Sequence, residues 1–208
     1  MTFKKLQDDV INFILKHNNV DHIVLMGKNN ILISAPHAVS QVRLGMHKYS
    51  EEGSLKTALS VFKNTNCFLI SKTKNNFDDA NFDEKSEYKT SVENLIKKHH
   101  IQYIVDFHGL SPKRNCDVNL GTHLGQNVKT NEELFMALYN ALKSKNFNTQ
   151  IDAPFMANRN TISSSMANKY PNVWTVQIEI NCNITDKKEN FSKFETLVEV
   201  LTNWICSI

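Results

Sequence analysis

The sequence is short of several things, and each shortage excludes something. Its 208 residues include four scattered cysteines, Cys67, Cys116, Cys182 and Cys206, with no CxxC pair. Neither a disulfide framework nor a zinc knuckle is therefore expected, and the thiols are read as reduced and structural. No apolar run approaches the roughly 20 residues of a spanning helix. The N-terminal "MTFKKLQDDVINFILKHN" also lacks the uninterrupted apolar core and small-residue cleavage site of a signal peptide. The expectation is a cytoplasmic protein with no membrane partner. No Pro/Gly-rich linker, low-complexity tract or internal repeat marks a boundary, which leaves residues 1–208 as a single domain, long enough to bury a core unaided. A strong charge of one sign is missing too: a net charge of +3 gives no field for nucleic acid. Arginine is scarce, with only Arg43, Arg114 and Arg159, and each lies within a few residues of a segment singled out below.

What is present is an alternation of helix and strand. Leu6, Val10, Phe13 and Ile14 have helical spacing, after which "HIVLMGKNNILISAP" reads as two strands around a Gly-Lys-Asn-Asn turn, a hairpin. Leu55, Ala58, Leu59 and Phe62 mark a helix, "CFLIS" a strand, Tyr88, Val92, Leu95 and Ile96 a helix, and "IQYIVDF" a strand. The polar stretch 71–89 reads as a loop that leads into a helix start. "CDVNLGT" follows as a strand, then a helix through Leu134, Phe135, Leu138 and Leu142. The strand "VWTVQIEI" and a last helix carrying Phe191, Phe194, Val198, Leu201 and Trp204 complete the chain. This order predicts an α/β fold, a mixed but largely parallel sheet with helices on both faces. The ligand crevice of such a sheet lies at the carboxyl ends of the parallel strands, which is where His37, His108 and Glu179 fall.

"ILISAPHAVS" stops at Pro36 and leaves His37 just beyond the strand end, and "YIVDFHGL" delivers Asp106 and His108 to its tip and breaks at Gly109. One such histidine fits a hydrogen-bonded structural group. Two, each beside a turn residue, fit metal ligands, imidazole being the commonest neutral one. A catalytic zinc takes three protein ligands and keeps one position open, so a third group is needed from Glu51, Glu52, His47 or Asp106. Asp106 leaves the same strand face as His108, placed either to orient that imidazole or to cap the turn. Glu179 sits between Ile178 and Ile180 in an otherwise buried strand, where a carboxylate is costly unless paired or used. A carboxylate that is not a ligand is the natural general base.

The segments "SAPHAV", "RLGMHKYSEEGS", "DDANF", "VDFHGL", "RNCDVNLGT" and "QIEIN" occur in an order that resembles the N-formylglutamate amidohydrolase family. That family is similar in fold and site to the zinc carboxypeptidases, and the resemblance covers about residues 31–181. It implies a phosphorylase/hydrolase-like fold, one zinc ion per chain held by His37, Glu51 and His108, and Glu179 as general base. Counting along the family pattern from Arg43 selects Glu51, with Glu52 adjacent and His47 a further candidate; Ser54-Leu55 stands where the family carries Thr-Gly. A guanidinium grips a carboxylate bidentately. Arg114 is therefore the first choice for holding a substrate carboxylate or polarising the scissile carbonyl, ahead of Arg43 and Arg159, and Asn81 is implied to hydrogen-bond substrate. The implied reaction is hydrolysis of a small N-acyl amino acid, such as N-formylglutamate, or of a short peptide. The rival readings are a carboxypeptidase-like or cell-wall amidase and a non-catalytic carboxylate-binding member.

Overall fold

The computed structural model describes residues 2–208. Helix α1 (Phe3–His17) is opened by Thr2, whose hydroxyl accepts a hydrogen bond from the Lys5 N–H. There follow β1 (His22–Leu25), β2 (Ile31–Ala35), a two-stranded ribbon β3 (Gln41–Arg43) and β4 (Met46–Lys48), α2 (Glu52–Phe62), β5 (Phe68–Lys72), α3 (Glu87–His99) and β6 (Tyr103–Leu110). The second half comprises β7 (Val118–Gly121), α4 (Glu132–Ser144), β8 (Thr149–Ile151), α5 (Ile162–Lys169), β9 (Trp174–Asn181), the short α6 (Cys182–Thr185) and α7 (Phe191–Ile205). Seven strands form one sheet in the order β1-β5-β2-β6-β9-β7-β8. The four central strands, β5, β2, β6 and β9, are mutually parallel; β1 runs antiparallel to β5 and β7 antiparallel to β9. The fold is thus the expected mixed, largely parallel α/β sheet.

Period-two alternation along the central strands decides which side chains meet which layer. Ile31, Ile33 and Ala35 of β2, Val105 and Phe107 of β6, and Trp174, Val176, Ile178 and Ile180 of β9 point to one face. There they join Leu6 and Val10 of α1, Leu55 and Ala58 of α2, Leu138 of α4 and Leu197, Leu201 and Trp204 of α7. On the opposite face a smaller apolar cluster forms around Leu32, Ile70 and Ile104 with Tyr88, Val92 and Leu95 of α3 and Ile162 and Met166 of α5. Toward the carboxyl ends of the strands this second face turns polar. It carries Ser34, Asp106, His108, Gln177 and Glu179, all buried.

The predicted hairpin of "HIVLMGKNNILISAP" does not form. The two strands exist, but β5 lies between them, antiparallel to β1 and parallel to β2. The reason is in the connecting turn, which docks on the start of β5: the N–H groups of Lys28 and Asn29 both donate to the Asn66 carbonyl, at 2.7 and 3.3 Å. A Cβ on Gly27 would stand 2.3 Å from the Cys67 carbonyl carbon, so only glycine permits the approach. Loop 73–86 and helix α3, opened by the Ser86 side chain, agree with the polar-loop reading, although Ser71 and Lys72 belong to β5. The ribbon β3–β4, the edge strand β8 and helix α5 carry too few residues for a periodic signal.

Gly27→Ala is expected to destabilise the chain by about 1–3 kcal/mol through this backbone clash, read as a lower denaturant midpoint at unchanged slope.

Candidate active site

His37 occupies the turn that follows β2, Glu51 the residue before the first turn of α2, and His108 the sheet position beside Glu179. The backbone ties the first two together, because the Glu51 N–H donates to the His37 carbonyl at 2.8 Å. The Glu51 carbonyl in turn accepts from the N–H and hydroxyl of Ser54, at 2.8 and 2.7 Å, fixing the carboxylate at the head of α2. Gly109 does not end the strand as predicted, since β6 continues to Leu110. Its N–H donates to Glu51 Oε2 at 2.9 Å, and a Cβ there would press to 3.0 Å on the Glu51 Cβ.

Three donor groups converge. His37 Nδ1 lies 3.0 Å from Glu51 Oε1, His108 Nδ1 lies 3.2 Å from Glu51 Oε2, and the two Nδ1 atoms are 3.2 Å apart. Ligands at ordinary zinc distances and tetrahedral angles stand roughly 3.3 Å from one another, so the spacing fits a small divalent cation. Each imidazole is oriented from behind. His37 Nε2 is 2.8 Å from Asp79 Oδ1, and His108 Nε2 is 3.1 Å from Asp106 Oδ2. Asp106 is in turn held by the Ser34 hydroxyl, which donates to Oδ1 at 2.6 Å. Carboxylates bonded to the far nitrogen of ligating histidines are the usual outer support of a metal site. Glu52, exposed on the first turn of α2, and His47, exposed on β4, stand outside the converging group.

Charge supports the same fit. Burial alone would push His37 down, but the Glu51 and Asp79 carboxylates outweigh it and raise the imidazole to about 9. His108 is buried too, and Asp106 and Glu51 raise it well above the ordinary range. Glu51 and Asp79 are held far below the ordinary carboxylate range; their burial opposes this, and the charge and hydrogen bonds of the histidines, with Arg43 for Asp79, decide it. The two imidazoles thus retain protons where a divalent cation would balance the charge of the carboxylates around them.

The site opens into a cavity of about 830 Å³. Glu179 lies in it, 5% exposed, and burial raises its carboxyl to about 7; Glu51 adds to the rise, while the two histidines and a hydrogen bond from Gln177 oppose it. That bond, Gln177 Nε2 to Glu179 Oε1, is 2.7 Å long, and Gln177 Oε1 accepts from Asn81 Nδ2 at 3.4 Å. Asn81 lines the cavity, with its Oδ1 committed to the Ile162 N–H at 2.7 Å. Arg43 also lines the cavity, but its Nε and Nη2 bind Asp79 Oδ2 at 2.8 and 2.7 Å and its guanidinium covers the Phe82 ring. Arg114 is exposed and does not line the cavity; it lies 6.0 Å from the ring of Phe155, which does. Arg159 does line it.

Asp79 was not among the residues singled out from the sequence. The only available signal was its place in the "DDANF" segment, where an Asx-rich stretch reads simply as a turn.

No protein-family model matches the sequence, and comparison with curated proteins finds no match. Solved structures do match. An N-formylglutamate amidohydrolase from Ralstonia eutropha JMP134 is 10% identical, with a TM-score of 0.59 over 88% of this chain and 96% of that one. A bacteriophage poly-gamma-glutamate hydrolase is 16% identical, with a TM-score of 0.56 over 90% and 89%. A metallo-carboxypeptidase from Pseudomonas aeruginosa is 14% identical, with a TM-score of 0.54 over 96% and 68%. These likenesses establish the fold. Among the described residues, no helix is long and apolar enough to cross a membrane.

The folded, metal-free chain keeps a proton on His37 up to about pH 9, whereas the unfolded chain releases it near 6.5. The folded state therefore binds more protons in that window, and stability fully present below pH 6.5 is lost as pH rises through 9. Denaturant titrations of the metal-free chain are expected to show this loss, at most about 3 kcal/mol, and His37→Gln to flatten it.

Proposed function

We propose that this chain is a cytoplasmic, metal-dependent hydrolase of amide bonds in small molecules, with one zinc ion held by His37 Nδ1, Glu51 and His108 Nδ1. The observation that carries the reading is the convergence of these three groups at 3.0–3.2 Å, backed by Asp79 and Asp106, in the cavity that also holds a fourth, uncommitted carboxylate. A zinc ion bound there would polarise a carbonyl oxygen and lower the pKa of a water.

The chain's own residues supply the rest. Glu179 takes the proton of the attacking water and returns it to the leaving amine, a task suited to a carboxyl whose pKa is near neutrality. Gln177 donates to Glu179 Oε1 and so fixes which oxygen receives the proton. Asn81, anchored through Ile162 and Gln177, presents its amide to the cavity as a substrate contact. A purely binding protein has no use for a buried carboxyl held near neutrality beside a metal site.

For the substrate, the order of the sequence motifs and the likeness in fold to an N-formylglutamate amidohydrolase favour an N-acyl amino acid. The second reading, a peptide or a peptide end, draws support from the cavity volume of about 830 Å³, near the top of the roughly 300–1,000 Å³ range of small-molecule sites. Neither reading calls for a nucleic acid or a membrane.

The zinc-loaded chain is expected to release free amine from N-formylglutamate, N-acetylglutamate or short peptides. Glu179→Gln should cut kcat at least about 100-fold while zinc remains bound. Zinc-loaded protein inert toward both classes, or an active Glu179→Gln variant, would contradict the reading. Asp79→Asn should weaken zinc binding by about 10- to 100-fold in a competition titration with a chromogenic chelator, because the His37 ring loses its anionic partner.

A further inference from the structure

The loop between β8 and α5, residues 152–161, forms a long stretch of the cavity wall, from Phe155 to Thr161. It is built around left-handed backbone: Asp152, Ala157 and Arg159 have φ of 54°, 52° and 55°, a region that L side chains rarely adopt. Nearly everything in it is tied down. The Asp152 carboxylate accepts from the N–H and hydroxyl of Thr122 and from the Leu124 N–H, at 2.6, 2.7 and 2.9 Å. The Asn119 side chain accepts from the Phe155 N–H at 2.8 Å and donates to the Phe155 carbonyl at 3.2 Å. The Met156 carbonyl accepts from the His123 N–H at 2.6 Å, and the Ala157 carbonyl from Asn127 Nδ2 at 2.9 Å. Asn160 donates through its side chain to the Phe82 carbonyl at 3.1 Å, and its own carbonyl accepts from the ammonium of Lys89, itself buried.

Within this fastened loop two polar side chains, Asn158 and Arg159, are left over, and of these only Arg159 is charged. Arg159 is exposed, lines the cavity, and has neither an ion pair nor a hydrogen bond to any described residue. The rest of the wall explains what it waits for. Among the described residues, Glu51 and Glu179 are the only acids that line the cavity, and both belong to the central site. The cations on the wall are Arg43, Lys48 and Arg159, apart from the histidines, and Arg43 is already neutralised by Asp79. Arg159 and Lys48 therefore face the cavity unpaired, from the β8–α5 loop and from β4. A planar guanidinium offers paired donors to a carboxylate, which the ammonium of Lys48 cannot.

We propose that Arg159 is the anion-recognition residue of the cavity, that the β8–α5 loop is fastened in its left-handed path to hold it there, and that the ligand class is acidic: an acyl-amino acid or oligopeptide bearing a side-chain or terminal carboxylate. Lys48 contributes a second, weaker attraction. That this ligand is a substrate rests on the hydrolase reading; that it is bound through Arg159 does not.

The test is calorimetric titration of the metal-free chain, at low salt, with N-acetyl-triglutamate and with its neutral isostere N-acetyl-triglutamine. Metal-free protein separates this inference from the zinc reading, since binding is measured whether or not any amide is cleaved. Wild type is expected to prefer the acidic peptide by about tenfold or more. Arg159→Gln is expected to lose that preference, with far-ultraviolet dichroism unchanged. Arg159→Lys, which keeps the charge but not the fork, should retain part of it, and rising salt should erode it. An equal preference in wild type and Arg159→Gln, a preference abolished by Arg114→Gln instead, or no binding of either peptide would overturn the proposal.

Discussion

The structure turns on an electrostatic constraint: three buried or half-buried carboxylates, Glu51, Asp79 and Asp106, are packed around two buried imidazoles, His37 and His108. Isolated charges of this kind are costly to bury, and here each is bearable only because the others are present. The arrangement settles which backbone segments must meet. The turn after β2, the head of α2, the loop before α3 and the end of β6 are held in register by these contacts and by the Glu51 to His37 backbone bond. The same constraint sets the chemistry, because a cluster that holds protons tightly in the absence of metal must give them up to bind one.

What makes the cluster possible is the division of the sheet into two unlike faces. Helices α1, α2, α4 and α7 cover one face with the larger of the two apolar layers. The other face is relieved of this duty toward its carboxyl end. Thr175, Gln177, Glu179 and Asn181 of β9 lie on it in strict alternation with Trp174, Val176, Ile178 and Ile180, which carry the packing. A strand can present four polar groups to a site only if its other four side chains are fully employed behind it.

Much of this was legible in the sequence, and the limits have physical causes. The strands, the long helices and the position of His37, His108 and Glu179 at strand ends follow from local periodicity and from the rule that crevices open at the carboxyl ends of parallel strands. The pairing of β1 with β5 was not legible, because it is decided by the docking of the Gly27 turn on Cys67 and Phe68, a long-range contact with no local signature. Asp79 and Arg159 lie in loops, where one-dimensional pattern carries least. Asp79 becomes significant only when loop 73–86 closes over His37, and Arg159 only when its loop is fastened to Asn119, Thr122 and Asn127. Arg114 and Arg43 had equally suggestive neighbours in sequence; the folded chain puts one outside the cavity wall and gives the other to Asp79.

Elemental analysis of the purified chain, beside His37→Ala and His108→Ala, tests the central claim most directly. The account predicts about one zinc per wild-type chain and its loss from both variants while they remain folded by circular dichroism. Wild-type protein that holds no metal and takes up none from added zinc, or variants that bind it as well as wild type, would contradict it and leave the carboxylate–histidine cluster a purely structural device.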